Sequence, residues 1–246
     1  MVLMNSSNNV FVIRIAKNMI RCSFMFSETA SFFSDYLTDD TMKCGEIVTI
    51  DDYDIKMWLD RGNELNAYGE YSLLCGGISD YLLRHNSCLI HAVAFKYKDR
   101  AYLITGSSGI GKSTQIKYLL DLFPGEFSVI CGDRPCLKFS DNGSIFVYPT
   151  PWNGKENWSG AGPCELAGVF SLTRGDETDI ALMTNYQAIF PVFTSIISRR
   201  EENEDLNYIG LYTEKIIEKY PVYRYVNGGV PFSTKMFYAT INKEAM

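Results

Sequence analysis

The chain has 246 residues, 46% of them apolar and 21% charged, with a formal net charge of −6 and a pI near 5.0. With 15 Phe and 16 Tyr it can bury enough surface for one large domain or two small ones, so dominant disorder is excluded. No run approaches 18 apolar residues, which excludes a spanning helix, and the acidic balance argues against a general nucleic-acid binder; an anionic ligand would need its own cationic pocket. The opening MVLMNSSNNV has no basic segment leading into an apolar one, so no secretory leader is expected. The seven cysteines (Cys22, Cys44, Cys75, Cys88, Cys131, Cys136 and Cys164) are odd in number and form no CxxC. That pattern points to buried thiols in a reducing cytoplasm rather than to disulfides or a zinc knuckle. His85 and His91 are the only histidines, too few for a histidine-rich metal site.

Residues 10–26 read as two short strands around a turn at Lys17-Asn18. Ser27-Glu28-Thr29 is in position to cap a short helix carrying Phe32, Phe33, Tyr36 and Leu37. Glu46–Ile50 reads as a strand, and Asp51 or Asp52 as the N-cap of a helix carrying Ile55, Trp58 and Leu59. Residues 66–84 place Tyr71, Leu74, Ile78, Tyr81 and Leu82 along one helical face, interrupted by Gly76-Gly77. From Ser87 two apolar strands, CLIHAVAFKY and AYLIT, flank a turn at Lys98-Asp99-Arg100. A glycine-rich loop and a helix over 112–123 follow, then the strand FSVIC and a hairpin of CLKF and SIFVY around Asp141-Asn142-Gly143. Residues 149–163 form a polar loop, LAGVFSL a strand, and helices are expected near 183–198, 204–219 and 231–243, with VYRYV as a strand. A boundary near residue 85 divides a small N-terminal α+β module, residues 1–85, from a nucleotide-binding domain, residues 86–246.

Gly106-Ser107-Ser108-Gly109-Ile110-Gly111-Lys112-Ser113 matches the Walker A pattern G-x4-G-K-[ST], which roughly one random chain of this length in a hundred would contain. A strand before it and a helix after it supply the context the motif needs. Glycines let backbone N–H groups converge on an anion, and the helix N-terminus adds positive potential. Residues 106–113 together with Thr114 are therefore the expected ATP-binding set, with Lys112 on the β- and γ-phosphates and Ser113 on Mg2+. Asp133, directly after the strand FSVIC, is the candidate acid that holds Mg2+ or accepts a proton from an attacking hydroxyl. A turn-forming Gly-Asp is the other reading of that position. No LSGGQ-like stretch and no NKxD motif occur, which sets aside transporter ATPases and GTPases.

A strand hairpin just before the loop is unusual in those classes. HAVAFKYKDRAYLITGSSGIGKST resembles the catalytic domain of bacterial HPr kinase/phosphorylase and its relatives, in the phosphoenolpyruvate-carboxykinase-like P-loop group. The resemblance covers about residues 88–175 and implies an α/β P-loop core of the HPr-kinase type, α+β overall with the N-terminal module. It implies a site histidine at His91, 15 residues before Gly106, orienting Asp133 or touching phosphate, and an acid at Asp133. Pro149-Thr150-Pro151-Trp152-Asn153-Gly154-Lys155 is similar to a Pro-Trp-x-Gly-Lys/Thr element of related kinases. Two departures stand out. Gly132 occupies the place of the first of two adjacent aspartates, and Leu172-Thr173-Arg174-Gly175 lacks the glutamate of a Glu-x-Arg-Gly signature tied to the reverse reaction. Both point away from HPr as acceptor.

Lys155 is either a γ-phosphate contact or a solvated loop lysine, Trp152 is expected to anchor its loop, and Arg134 either reaches a phosphate or makes a surface ion pair. Arg199-Arg200-Glu201-Glu202 reads as a solvated helix junction. The resulting expectation is a cytoplasmic, Mg2+- and ATP-dependent kinase acting on the hydroxyl of a protein, a peptide or a free amino acid, serine above all. Asp133, His91 and Lys112 would be its catalytic groups and Ser113 and Asp133 its metal ligands, with no nucleic-acid or membrane partner and with a homo-oligomer compatible. The alternative is a nucleotide-binding regulatory module without phosphotransfer in a peptide-maturation system. Carboxykinase activity is disfavoured by size and by the two histidines.

Overall fold

The computed structural model describes residues 9–39, 46–160, 162–199 and 203–244. Residues 1–8, which carry most of the leader reading, Cys44, and residues 200–202 of the charged junction lie outside the described residues. The architecture is mixed α/β. No helix among the described residues is long and apolar enough to cross a membrane.

The chain opens with a hairpin, β1 (Asn9–Ile15) and β2 (Asn18–Phe24), in which Ile15 pairs with Asn18. The turn falls on Ala16 and Lys17, both at positive φ, one residue earlier than expected, because a two-residue hairpin loop needs that conformation at both positions. Asn18 is thereby placed in β2, where its side chain donates to Ser87 Oγ at 3.0 Å. The strand β3 (Ile47–Val48) runs parallel to β2. Residues 27–36 form a 3-10 helix, Ser27–Tyr36, without the expected side-chain cap. The chain entering it is tied down from a distance: the fully buried Glu70 accepts from the backbone N–H groups of Met25 and Phe26, just before the helix, and from the Thr29 hydroxyl in its first turn. Helix α1 (Asp52–Asp60) is capped by Asp51, which accepts from Asp54 N at 2.8 Å. Helix α2 (Ala67–Leu83) is capped by Asn66 and runs straight through Gly76-Gly77. A Cβ on Gly76 would meet the Arg199 side chain at 3.0 Å, so the glycine makes room for Arg199, which pairs with Asp54 at 3.2 Å and Asp80 at 3.1 Å.

The remaining elements are β4 (Ser87–Leu89), β5 (Ala92–Tyr97), β6 (Arg100–Thr105), α3 (Lys112–Leu122), β7 (Phe127–Cys131), β8 (Cys136–Phe139), β9 (Ile145–Tyr148), β10 (Cys164–Arg174), β11 (Asp179–Leu182), α4 (Asn185–Phe193), α5 (Asn203–Lys219), β12 (Val222–Asn227) and α6 (Phe232–Glu244). They build a nine-stranded mixed sheet in the order β4-β8-β9-β10-β6-β5-β7, with β12 parallel to the end of β10 and β11 antiparallel to β12. The single strand expected over CLIHAVAFKY is two. The chain leaves β4, which pairs with β8, and re-enters the sheet as β5 beside β6 and β7, with His91 at the corner. The short strand β11 was not expected, and α4 ends earlier than 198, with Pro191 in its last turn.

Alternation along the strands splits the core into two faces. Ala92, Ala94, Leu103 and Val169 pack with Ala188, Val192, Ile209 and Ile216 of α4 and α5. Val93, Phe95, Ile104 and Phe170 pack with Ile116, Leu119, Phe237 and Ile241 of α3 and α6. A third cluster joins Ile13, Phe24, Phe33, Leu74 and Ile78 to Leu89, Cys136 and Trp152, so the N-terminal elements share their apolar interior with the sheet. The six described cysteines are free and buried.

Candidate functional site

Residues 106–111 connect the C-terminal end of β6 to the first turn of α3, the end of a sheet where α/β folds place ligands. Gly106, Gly109 and Gly111 all have positive φ, and a Cβ on Gly106 would stand 2.6 Å from the Leu172 carbonyl oxygen. Two features missed in the sequence hold this loop and its helix. Arg174, from β10, donates to the carbonyls of Gly109 at 2.8 Å and Ile110 at 3.3 Å. The buried Gln115 bonds Ser233, Thr234 and Tyr225, fixing α3 to α6 and β12. Ser107, Ser108, Gly109 and Thr114 are solvent-exposed.

His91, Lys112 and Asp133 come together beside this loop. Lys112 is 8% exposed, and its Nζ lies 2.9 Å from the Gly106 carbonyl, 3.3 Å from that of Ser107 and 3.2 Å from His91 Nε2. Burial holds the Lys112 ammonium below its ordinary value, against the opposing attraction of Asp133. The same His91 nitrogen lies 3.4 Å from Asp133 Oδ1, and Arg134 Nε lies 3.3 Å from Asp133 Oδ2. Burial alone would raise the Asp133 carboxyl. The His91 hydrogen bond and the charges of Arg134, His91 and Lys112 outweigh it and hold the carboxyl below its ordinary value. Backbone bonds fix the cluster: His91 N donates to Ser195 O at 2.7 Å and Ala92 N to Asp133 O at 2.9 Å.

The polar loop after β9 closes over β7. Gly132 N donates to Trp158 O, Arg134 N to Trp152 O and Gly160 N to Ile130 O, so the loop lines the exposed edge of β7. Trp152 anchors it: the ring is 4% exposed, stacks on Tyr71 and donates from Nε1 to the Tyr71 carbonyl at 3.2 Å. Arg134 makes an ion pair, and its partner is Asp133 of the cluster itself, while its guanidinium also meets the Cys75 side chain. Lys155 is exposed. Glu156, which sequence reasoning passed over, accepts from the Ser113 hydroxyl and pairs with Lys117 at 3.2 Å; partial burial opposes these contacts, but they leave its carboxyl below the ordinary value. Its signal was faint, one acid in a polar loop 43 positions from the serine it meets.

Cavities flank the cluster on two sides. One of about 430 Å3 is lined by His91, Gly106, Ser107 and Ile110 together with Phe190 and Ser195. The other, about 610 Å3, lies between the N-terminal elements and the loop over β7 and includes Asp133 and Arg134 in its lining. Among the described residues no group of three or more His, Cys, Asp and Glu is arranged to hold a metal ion by itself. Ser113 and Asp133 each offer an oxygen donor of the hard type that suits Mg2+ completed by phosphate oxygens.

No protein-family model matches this chain, and no curated protein matches it. Among solved structures it is similar to the Hpr(Ser) kinase/phosphatase from Coxiella burnetii, with a TM-score of 0.39 and 14% identity over 64% of this chain and 96% of that one.

Proposed function

We propose that this chain is an ATP-dependent phosphotransferase acting on a hydroxyl, read as serine of a protein, a peptide or a free amino acid. The observation that carries the reading is the cluster centred on His91, whose Nε2 lies 3.2 Å from Lys112 Nζ of the Walker A sequence and 3.4 Å from Asp133 Oδ1. Residues 106–114 would bind the triphosphate through backbone N–H groups and the α3 N-terminus. Lys112 would leave the Gly106 and Ser107 carbonyls for the phosphates. Asp133, oriented by His91 and Arg134, would take the proton of the acceptor hydroxyl. The acceptor oxygen then bonds the γ-phosphorus while the bond between that phosphorus and the β–γ bridging oxygen breaks, and ADP leaves with the electron pair. Mg2+, held by Ser113 and, where that carboxylate does not serve as the base, by Asp133, would supply charge neutralisation at the phosphate oxygens.

The second reading, a nucleotide-binding regulatory module without phosphotransfer, draws on Gly132, where the resembled kinases carry a further acid. Calorimetry with Mg-ATP tests the shared premise. Wild type should bind, and Lys112→Ala should weaken binding by about 1.5–3 kcal/mol, the worth of a charge-assisted contact; no binding by wild type overturns both readings. Incubation of the chain with γ-labelled ATP and source-cell lysate, followed by mass spectrometry, separates them: a labelled hydroxyl supports the transferase, and ATP turnover without any labelled product supports the module.

A further inference from the structure

The cavity of about 610 Å3 joins two parts of the chain that the nucleotide loop does not involve. Its floor holds Asp133 and Arg134. Its far wall is built by the 3-10 helix and α2, which contribute Phe32, Tyr68 and Tyr71. These rings form a continuous ladder: Tyr68 meets Phe32 edge-on at 6.1 Å, Phe32 stacks on Tyr71 at 4.8 Å, and Tyr71 stacks on Trp152 at 5.8 Å. The inner rungs are pinned by their polar tips, Tyr71 Oη donating to Pro151 O at 2.9 Å and Trp152 Nε1 to Tyr71 O at 3.2 Å. The outer rungs are open, with Phe32 39% and Tyr68 61% exposed. The open outer rings are backed by the pinned inner pair, so a ligand ring packing on them meets a surface already held in place from behind. The cavity falls in the size range of a small organic ligand, roughly two or three amino-acid residues, and is too large to be filled by one serine.

We infer that this cavity is the acceptor site, and that it takes a peptide segment in which an aromatic residue neighbours the hydroxyl-bearing one. The inference rests on the phosphotransferase reading, in which Asp133 meets the acceptor hydroxyl. The ring packs on Phe32 and Tyr68 while the neighbouring hydroxyl points to the floor. A free hydroxy amino acid would leave the platform uncovered. The N-terminal elements thereby acquire a role, selecting the acceptor for chemistry performed by the sheet.

The test uses the full chain and two probes, acetyl-Gly-Phe-Ser-Gly-amide and acetyl-Gly-Gly-Ser-Gly-amide, with binding measured by calorimetry separately from Mg-ATP binding. The phenylalanine peptide should bind at least about tenfold tighter, the worth of burying and stacking one ring. Tyr68→Ala should remove most of that preference and Tyr68→Phe should keep it, with Mg-ATP affinity unchanged in both. Equal affinity for the two peptides, binding of neither, or a preference untouched by Tyr68→Ala overturns the inference while leaving the nucleotide reading intact. A preserved peptide preference in a chain that does not bind Mg-ATP keeps the aromatic peptide site and overturns the phosphotransferase reading instead.

Discussion

A Cβ on Gly132 would stand 2.2 Å from the carbonyl oxygen of Asn153. The absence of a side chain at 132 and the seating of the loop over β7 are therefore one feature. The resembled kinases carry an aspartate at that place, and here the loop backbone fills the room it would need.

Gly132→Asp should thus act as an overpacking change and not as a gain of an acid. The loop is tied at both sides, by Gly132 N to Trp158 O and Arg134 N to Trp152 O, so it cannot retreat without losing hydrogen bonds. The expected loss is about 1–3 kcal/mol in urea unfolding, with Gly132→Ala changing stability in the same direction. Wild-type stability in both variants would mean that the loop yields freely.

The sheet is legible in the sequence through its runs of apolar residues, Ala92 to Phe95 among them, and the helices through apolar periods such as Ile209 and Ile216 along α5. The strand, glycine loop and helix around residues 105–112 are legible because only glycine readily adopts positive φ at 106, 109 and 111. The break at His91 is not, since continuous apolar character hides a strand that changes partners. The meeting of His91 with Asp133 was expected only through the resemblance, and its contact with Lys112 was not expected at all, because no local rule links residues 21 apart. Glu156 on Ser113, Arg174 on the glycine loop and Glu70 on the 3-10 helix were invisible for the same reason: each is a polar contact made by tertiary packing, and polar residues in loops or on helices carry no period that marks them.

Glu70 gives the second prediction. It is fully buried and serves three donors, Met25 N, Phe26 N and Thr29 Oγ1. Glu70→Ala should cost about 3 kcal/mol, since charge-assisted bonds are lost and their donors are stranded. Glu70→Gln keeps the shape and part of the bonding, so its cost should be about half as large. Hydrogen exchange should locate the loosening in the 3-10 helix; unchanged protection there would show that the helix is held by Phe33 packing alone.

Asp133 gives the third. Its carboxyl lies below the ordinary value of 3.8 in the folded chain, because the His91 hydrogen bond and the surrounding positive charges outweigh its burial. A carboxyl depressed by folding contributes stability that is complete above its unfolded value and is lost as pH falls through the folded one. Wild type should therefore lose stability on acidification below about pH 4 more steeply than Asp133→Asn. Parallel pH profiles for the two proteins would show that Asp133 is not held by its neighbours.

The last prediction concerns how the three grouped side chains act. Asp133→Asn preserves shape and removes charge, and it leaves residues 106–114 untouched, so Mg-ATP should still bind, with a weaker dependence on Mg2+. Phosphoryl transfer, or ATP hydrolysis until an acceptor is in hand, should fall by about 10²–10⁴, the range for loss of a positioned general base. His91 meets both Asp133 and Lys112 through one nitrogen, which can accept from the ammonium or donate to the carboxylate but not do both at once. Moving Lys112 onto phosphate would free that nitrogen for Asp133. His91→Ala should then reduce turnover less than Asp133→Asn does, and the double variant should be no worse than Asp133→Asn alone, because residues that act as a unit are non-additive. If the two losses multiply instead, His91 acts on phosphate independently of Asp133; if Asp133→Asn turns over at the wild-type rate, the carboxylate is a turn residue and the catalytic assignment fails.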